Sequence, residues 1–223
     1  MEIIRPLWPA PDAVRAFTST RQLSDEALLE QELFEHTHCR RIKQVHGIDV
    51  VSAVDKADDI EADACFSRDA FHACRVVTAD CLTLLICNQQ GTEVAAVHAG
   101  WRGLAAGVVE NCVARLHSAP GDLLVWMGPA ISQRAFEVGG EVLARFLAAA
   151  PAQLREPIRD CFRPGVAGKY FADLYGLARI RLENLGVSRI FGGEYCTFEQ
   201  DDLFYSYRRD GTAGRMISVI VFR

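Results

Sequence analysis

The sequence predicts a mixed α/β (α+β) fold, organised as a single domain over residues 1–223. Segments typical of strands and helices interleave irregularly, with a hairpin beside strand–helix crossover units. This pattern favours mixed sheets over a doubly wound parallel sheet. Two segments, Leu82–Cys87 and Glu93–Val97, are almost continuously apolar, as in strands that are buried on both faces. A chain of 223 residues is long enough to bury such a core.

The first half of the chain is predicted to consist of strands and one helix. Val14–Thr20 alternates between apolar and polar residues as a strand does. Ser24 is a favourable N-cap for a helix that runs to about Glu35, because its hydroxyl can accept a hydrogen bond from an unpaired backbone N–H group. Further strands are predicted over Ile48–Ala53, Ala73–Val77, Leu82–Cys87 and Glu93–Val97, with a reversal at Gln89-Gln90-Gly91.

The second half begins with a change to helical periodicity after His98. Apolar residues from Leu104 to Leu116 form one stripe, and Gly100 and Gly103 allow a close backbone approach before it. Helices are also predicted over about Glu141–Ala149 and from the cap Asp173 to just before Gly186, with an irregular linker over Ala148–Pro157. The remaining strands are predicted over Leu123–Met127, Ile190–Phe191, Phe204–Tyr207 and Met216–Phe222.

Composition argues against several classes of function. The net charge of −5 argues against a general nucleic-acid surface, and no apolar run reaches the length of a membrane span. The N-terminal segment lacks the apolar core of a signal peptide, so the eight cysteines indicate reduced thiols in the cytoplasm. Four of them, in apolar surroundings, are predicted to be small core residues: Cys65, Cys74, Cys87 and Cys112. We expect a cytoplasmic monomer.

Three residues with metal-binding side chains occur in blocks that also contain glycine or another small residue: His46, Cys81 and His98. Two imidazoles and one thiolate suit zinc or copper, and three protein ligands leave one coordination position open for water or substrate. The separations of 35 and 17 residues do not match a zinc finger, so spacing alone does not identify the site. Cys81 and His98 each lie where a predicted strand meets a turn, a common place for active sites.

Six short motifs follow one another between Ile42 and the C-terminus. They are Thr78-Ala79-Asp80-Cys81-Leu82, Ala96-Val97-His98-Ala99-Gly100-Trp101-Arg102-Gly103-Leu104, Gly128-Pro129-Ala130-Ile131, Phe136-Glu137-Val138-Gly139, Cys196-Thr197 and Phe204-Tyr205-Ser206-Tyr207-Arg208-Arg209. In this order they resemble the motifs of the YfiH-like laccase-domain family. The resemblance implies a four-layer α/β/β/α sandwich and identifies His46, Cys81 and His98 as metal ligands. The chain departs from the family pattern after Thr20-Arg21, where members usually carry a Gly-Gly segment and an Asn-rich loop.

The family has been described as multicopper polyphenol oxidases, as purine nucleoside phosphorylases with adenosine deaminase activity, and in one branch as a peptidoglycan editing factor. The resemblance therefore implies a metal-dependent purine nucleoside phosphorylase with an adenosine deaminase side activity. Adenosine, inosine and methylthioadenosine are the expected nucleosides, and phosphate is the second substrate. Zinc is the expected metal, with copper as the alternative.

Other functions fit the same residues. Cys81 with His98 as its base would make a metal-free cysteine hydrolase, which could also act on a peptidoglycan precursor. His46 argues against it, because such a dyad needs no second histidine in a similar turn. A copper polyphenol oxidase fits the two-histidine, one-cysteine set, but few other histidines remain for an oxygen-reducing cluster. A non-catalytic binder could have kept the fold after losing the N-terminal loop.

Arginines and aromatic residues near these motifs are the candidates for substrate binding. Arg102, Arg208 and Arg209 are predicted to bind phosphate, because a guanidinium group can contact it in bidentate fashion. Arg208 and Arg209 fit a solvated strand end equally well. Trp101 and Tyr207 could stack on a purine base, although burial in a core is the commoner use of either residue.

One carboxylate stands next to the predicted thiolate ligand. Asp80 precedes Cys81, so in a regular strand its side chain would point to the opposite face. We therefore predict that Asp80 takes part in catalysis by orienting His46 or His98 through a hydrogen bond.

Overall fold

The strands of the protein form three sheets in this computed structural model, which describes residues 3–23, 37–55, 60–211 and 214–223. The strands are β1 (Ile3–Ile4), β2 (Val14–Ser19), β3 (His38–Arg40), β4 (Val50–Ser52), β5 (Ala64–Ser67), β6 (His72–Thr78), β7 (Leu82–Asn88), β8 (Val94–Ala99), β9 (Leu123–Met127), β10 (Glu137–Val138), β11 (Phe162–Pro164), β12 (Tyr170–Ala172), β13 (Arg189–Gly192) and β14 (Met216–Phe222). The helices are α1 (Trp101–Ala106), α2 (Val108–Val113), α3 (Gly140–Ala149), α4 (Arg155–Asp160), α5 (Leu174–Asn184) and α6 (Tyr207–Asp210).

The two larger sheets are mixed, as predicted. The five-stranded sheet has the order β1-β2-β14-β6-β3 and is antiparallel except where β3 pairs with β6. The six-stranded sheet has the order β13-β9-β7-β8-β5-β4, with parallel pairs only at its two edges. A small antiparallel sheet, β10-β12-β11, was not predicted, because its strands are only two or three residues long.

Three apolar clusters define the layers. The cluster between the two larger sheets contains Cys65, Cys74, Leu85, Trp126 and Ile220, all 1% exposed or less. A larger cluster lies between the six-stranded sheet and helices α1 to α5. The third covers the outer face of the five-stranded sheet and includes the buried residues Phe17, Ala73, Val219 and Val221. The helix predicted over residues 24–35 lies outside the described residues, and the other three layers of the predicted sandwich are present.

Most predicted elements are confirmed, and the corrections are local. The strands over Leu123–Met127 and Met216–Phe222 have the predicted bounds. Phe204–Tyr207 is not a strand, because the Ser206 hydroxyl accepts a hydrogen bond from the Arg209 N–H group and caps α6. The linker predicted over Ala148–Pro157 contains a 3₁₀ turn and the start of α4, whose first turn accommodates the proline.

The predicted helix after His98 is present as two short helices. Gly107, with φ of 108°, ends α1 and begins α2, so the apolar stripe continues across a left-handed break. The stripe is buried as predicted, from Leu104 through Cys112 to Leu116. Among the described residues, no helix combines the length and the apolar character that a membrane span requires.

Candidate metal centre and adjoining cavity

The three predicted ligands converge at one end of the six-stranded sheet. Cys81 immediately precedes β7, and His98 lies on β8 opposite Thr83 of β7, so their side chains meet at the same end. His46 comes from the loop between β3 and β4 and has a left-handed φ of 60°. The ligand atoms of the three residues all lie within 4.8 Å of one another, and Cys81 Sγ is 3.9 Å from His46 Nε2.

Asp63 orients both histidines. It is fully buried and lies next to β5, opposite His98, whose Nδ1 donates a 2.7 Å hydrogen bond to the Asp63 carboxylate. The same carboxylate accepts hydrogen bonds from the backbone N–H groups of Val45, His46 and Gly47 at 3.2, 2.9 and 2.6 Å. One buried side chain therefore fixes the His98 tautomer, leaves Nε2 for the cluster, and shapes the loop that carries His46.

Two glycines make room for the cluster, as predicted from the sequence. A Cβ atom on Gly100 would lie 2.9 Å from His46 Cδ2, 3.1 Å from Cys81 Sγ and 3.4 Å from His98 Nε2. A Cβ atom on Gly103 would lie 2.6 Å from the carbonyl oxygen of Gly47. These distances leave no space for a side chain at either position. The close approach of α1 to the His46 loop therefore depends on glycine.

The hydrogen bonds within the cluster favour a thiolate. Burial opposes the charged form, but hydrogen bonds from His46 and His98 outweigh it and lower the pKa of the Cys81 thiol to about 6. Burial also opposes charge on His98, but its hydrogen bonds to Asp63 and Cys81 raise its pKa to about 9. Burial raises the pKa of Asp63, and bonds from His98 and Gly47 more than compensate and lower it.

The donor set fits a zinc ion, and the ligand atoms, which lie within 4.8 Å of one another, would have to draw together to bind it. Tetrahedral zinc places nitrogen and sulfur ligands roughly 3.3–3.8 Å apart, given bond lengths of about 2.0 and 2.3 Å. The 3.9 Å separation between Cys81 Sγ and His46 Nε2 is close to that range. The lowered thiol pKa and the carboxylate on His98 Nδ1 suit a metal-bound cysteine and histidine, and the raised pKa of His98 means that metal binding must displace a proton from this imidazole. The three residues can therefore hold one metal ion.

Gly100→Ala tests this packing. The added methyl group would push His46 and Cys81 apart, so we expect the variant to fold but to bind metal much more weakly than the wild type. Gly121→Ala is the matched control, because a Cβ atom there meets nothing within 4 Å. Metal content after gel filtration is the measurement, and full retention by Gly100→Ala would contradict the packing described here.

A cavity of about 640 Å³ opens over the cluster. This volume is within the range of about 300–1,000 Å³ that is typical of small-molecule sites. Its walls combine the cluster with aromatic, apolar and cationic side chains. The lining residues are Gln44, His46, Val77, Thr78, Ala79, Asp80, Cys81, His98, Trp101, Arg102, Ile131, Phe136, Tyr207, Arg208 and Arg215.

The cavity contains two of the three predicted phosphate-binding arginines. Arg102 is exposed, and its Cζ lies 4.4 Å from the centroid of the Trp101 ring. Arg208 donates one hydrogen bond, of 2.9 Å, from its guanidinium to the Glu137 carbonyl, and its Cζ lies 5.5 Å from the Phe136 ring centroid. Both therefore present guanidinium N–H groups to a ligand.

Arg209 is not brought into the cavity. Its guanidinium donates to the backbone carbonyls of Thr197, Phe198 and Phe204 at 2.9 to 3.0 Å. It also donates two 2.8 Å hydrogen bonds to the Asp210 carboxylate. These contacts engage the guanidinium and join α6 to the preceding turns, and Arg209, which we predicted to bind phosphate, is not among the residues that line the cavity.

Asp80 lines the cavity but contacts neither histidine through its described hydrogen bonds. Its carboxylate accepts from the hydroxyl groups of Thr197 and Ser206 at 2.6 and 3.0 Å and from the backbone N–H group of Arg208 at 2.7 Å. The backbone at Asp80 has a φ of 85°, so the regular strand assumed in our prediction is absent there. Asp63 occupies the orienting position that we had assigned to Asp80.

The lining or supporting residues that were not identified from the sequence include Gln44, Asp63, Phe136 and Arg215. Asp63 could have been recognised from the sequence, because a carboxylate within the apolar stretch Ala62–Phe66 must be paired if it is buried. Gln44 exchanges hydrogen bonds of 2.8 and 2.7 Å with the carbonyl and N–H groups of Val77, which fixes the cavity wall. Phe136 and Arg215 come from distant segments; Phe136 begins one of the six motifs, but neither residue type indicates a place at the cavity.

Known proteins share this sequence pattern over nearly its whole length. The model of the multi-copper polyphenol oxidoreductase laccase family matches residues 18–223. The chain is 45% identical to a protein of Pseudomonas aeruginosa named purine nucleoside phosphorylase PA4543, with 97% of each chain covered. It is 42% identical to the purine nucleoside phosphorylase YfiH of Escherichia coli, with 98% of each covered.

Solved structures agree with this relationship. The Neisseria meningitidis protein NMB0706 superimposes with a TM-score of 0.90 at 35% identity, covering 100% of this chain and 99% of its own. YlmD from Geobacillus stearothermophilus superimposes with a TM-score of 0.87 at 27% identity, covering 100% and 97%. The sequence match and the shared architecture establish that this chain belongs to the multi-copper polyphenol oxidoreductase laccase family.

Proposed function

We propose that the protein is a metal-dependent purine nucleoside phosphorylase. One observation carries the proposal: a single cavity joins the His46, Cys81 and His98 cluster to exposed guanidinium groups and aromatic rings. Phosphorolysis needs those features, because a phosphate dianion and a planar purine must be held beside each other. The purine nucleoside phosphorylase names of the relatives from Pseudomonas and Escherichia support the same substrates.

In the proposed reaction, a phosphate oxygen forms a bond to the anomeric carbon of the ribose while the bond from that carbon to the purine nitrogen breaks. The electron pair of the broken bond stays with the purine, which then takes up a proton. Arg102 and Arg208 hold the phosphate and balance its charge. Tyr207, 61% exposed at the cavity, stacks on the base. His46, Cys81 and His98 would hold a zinc or copper ion, which would supply Lewis-acid chemistry and a water of lowered pKa.

Adenosine deamination is proposed as a side activity of the same site. Water replaces the amino group of the purine and ammonia leaves, so phosphate takes no part. The open coordination position of a three-ligand cluster suits a reaction of water. The cavity lining runs from Gln44 to Arg215, which supports one catalytic domain over residues 1–223, and we propose that the protein is a monomer.

Arg102→Lys separates the two activities. Lysine keeps the positive charge but loses the planar pair of donors, so we expect the KM for phosphate to rise by about tenfold or more. Deamination of adenosine should change much less. The test compares phosphate-dependent release of hypoxanthine from inosine with ammonia release from adenosine. An absence of phosphate-dependent base release by the metal-loaded wild type would refute the proposed function. Equal losses of phosphorolysis and deamination in Arg102→Lys would show that Arg102 does not bind phosphate specifically.

A second candidate function is a metal-free cysteine hydrolase, favoured by the Asp63–His98 hydrogen bond beside Cys81. A carboxylate on Nδ1 of a histidine whose other nitrogen faces a thiolate is also the arrangement of a cysteine nucleophile with its base. This alternative predicts a protein that is isolated without metal and is inactivated by alkylation of Cys81 with iodoacetamide. A metal-bound thiolate would be protected from that reagent until the metal is removed.

A further inference from the structure

Two of the three arginines that line the cavity, Arg102 and Arg208, lie over an aromatic ring. The Arg102 guanidinium is 4.4 Å from the Trp101 ring centroid, and that of Arg208 is 5.5 Å from the ring centroid of Phe136. A guanidinium over a ring face is attracted by the ring quadrupole, which restricts where the side chain lies. We propose that Trp101 is a positioning residue that holds Arg102 in a phosphate subsite, and not a stacking surface for the purine.

This inference rests on the proposed function, and it identifies the residue that positions Arg102 for its contact with phosphate. Within the described residues, the Arg102 guanidinium has no hydrogen bond to a protein acceptor, whereas one guanidinium N–H group of Arg208 is bound to the Glu137 carbonyl. Stacking uses the face of the guanidinium and leaves its N–H edges available for an anion. Of Arg102 and Arg208, Trp101 therefore restricts the one that forms no hydrogen bond to a described residue.

The surroundings of Trp101 also leave little room for a base. Its ring is half-buried and packs against the cluster of apolar residues between the six-stranded sheet and the helices. Arg102, which also lines the cavity, lies over this ring. A purine could stack there only by displacing the guanidinium that the phosphate requires. Tyr207, in contrast, lines the cavity and is 61% exposed.

Holding a long side chain in place lowers the entropy that is lost when it binds a ligand. An arginine that moves freely must be ordered at that moment, whereas one stacked on a ring is already restricted. A cation–π contact at a partly exposed site corresponds to about a two- to fivefold change in an equilibrium constant. The affinity for phosphate should therefore depend on the ring at position 101.

The test compares Trp101→Leu with Tyr207→Leu in the metal-loaded, full-length protein. We expect Trp101→Leu to raise the KM for phosphate about two- to fivefold and to leave the KM for inosine unchanged. Tyr207→Leu should raise the KM for inosine and leave the KM for phosphate unchanged. Trp101→Phe keeps a ring under the guanidinium and should restore most of the phosphate affinity. A rise in the KM for inosine in Trp101→Leu, or no change in the KM for either inosine or phosphate, would overturn the inference.

Isothermal titration calorimetry with inorganic phosphate and no nucleoside separates this inference from the proposed function. Weaker phosphate binding by Trp101→Leu than by the wild type would support the inference even if no nucleoside were cleaved, and the proposed function alone would then fail. Equal binding by both proteins, or no binding by the wild type, would overturn the inference. Thermal melting of Trp101→Leu and Trp101→Phe checks folding, and Trp101→Phe provides the comparison if the leucine variant does not fold.

Discussion

Cys81→Ala is expected to lose most of its bound metal and nearly all of its phosphorolytic activity while remaining folded. Cys81 supplies the only sulfur within the cluster, and its lowered pKa keeps that sulfur charged at neutral pH. Removing it leaves two imidazoles, which are too few ligands for a tightly held zinc ion. Elemental analysis of dialysed protein, together with a thermal melt, measures the two effects separately.

Cys87→Ala is the matched control for that experiment. Cys87 is fully buried on β7, the strand that Cys81 immediately precedes, but it lies in the cluster between the sheets and away from His46. Its loss should lower the free energy of unfolding by about 1 kcal/mol or more through the small cavity that it leaves, with metal content unchanged. Retention of a full metal equivalent by Cys81→Ala would show that Cys81 is not a ligand.

Asp63→Asn is expected to have the second-largest effect. The amide can donate where the carboxylate accepts, so it cannot satisfy the His98 Nδ1 and the three backbone N–H groups of residues 45–47 together. Loss of such a partner typically weakens metal binding or activity by about 10–100-fold. We also expect a loss of stability of roughly 3–5 kcal/mol, the scale for breaking a buried pair. A competition assay with a chelator and urea unfolding provide the two readouts.

Glu61→Gln provides the comparison, two residues away in the sequence. Glu61 is exposed and forms a 2.8 Å ion pair with Lys43, whose side chain is also exposed. Exposed pairs contribute about 0–1 kcal/mol, so neither metal affinity nor stability should change appreciably. A similar loss in both variants would indicate that this segment is sensitive to any change, and Asp63 would then have no specific role.

The longer elements of the fold followed from local pattern, because apolar runs and their breaks are local properties. Leu123–Met127 and Met216–Phe222 were predicted to the residue. The misassigned segments depended on tertiary contacts instead. Phe204–Tyr207 has the apolar and aromatic content of a strand, but its Ser206 cap and the Asp80 carboxylate hold it as the entrance to a short helix.

The candidate ligands were found from their residue types and motif context, whereas their supporting partner was not. Asp63 is opposite His98 only because β5 pairs with β8, and β5 was not predicted. Asp80 was given that role because it is adjacent to Cys81 in sequence, but its left-handed backbone directs the carboxylate to Thr197 and Ser206. Side-chain orientation at a turn depends on backbone conformation, which the residue type did not indicate.

The central claim is that His46, Cys81 and His98 hold one metal ion that the phosphorolysis requires. The most direct measurement removes the metal with a chelator and adds zinc back stepwise, following the release of hypoxanthine from inosine and phosphate at each step. Activity should rise in proportion to bound zinc and level off at about one equivalent per chain, as expected for one mononuclear site. Full activity in the metal-free protein, abolished by alkylation of Cys81, would contradict the claim and favour the cysteine hydrolase.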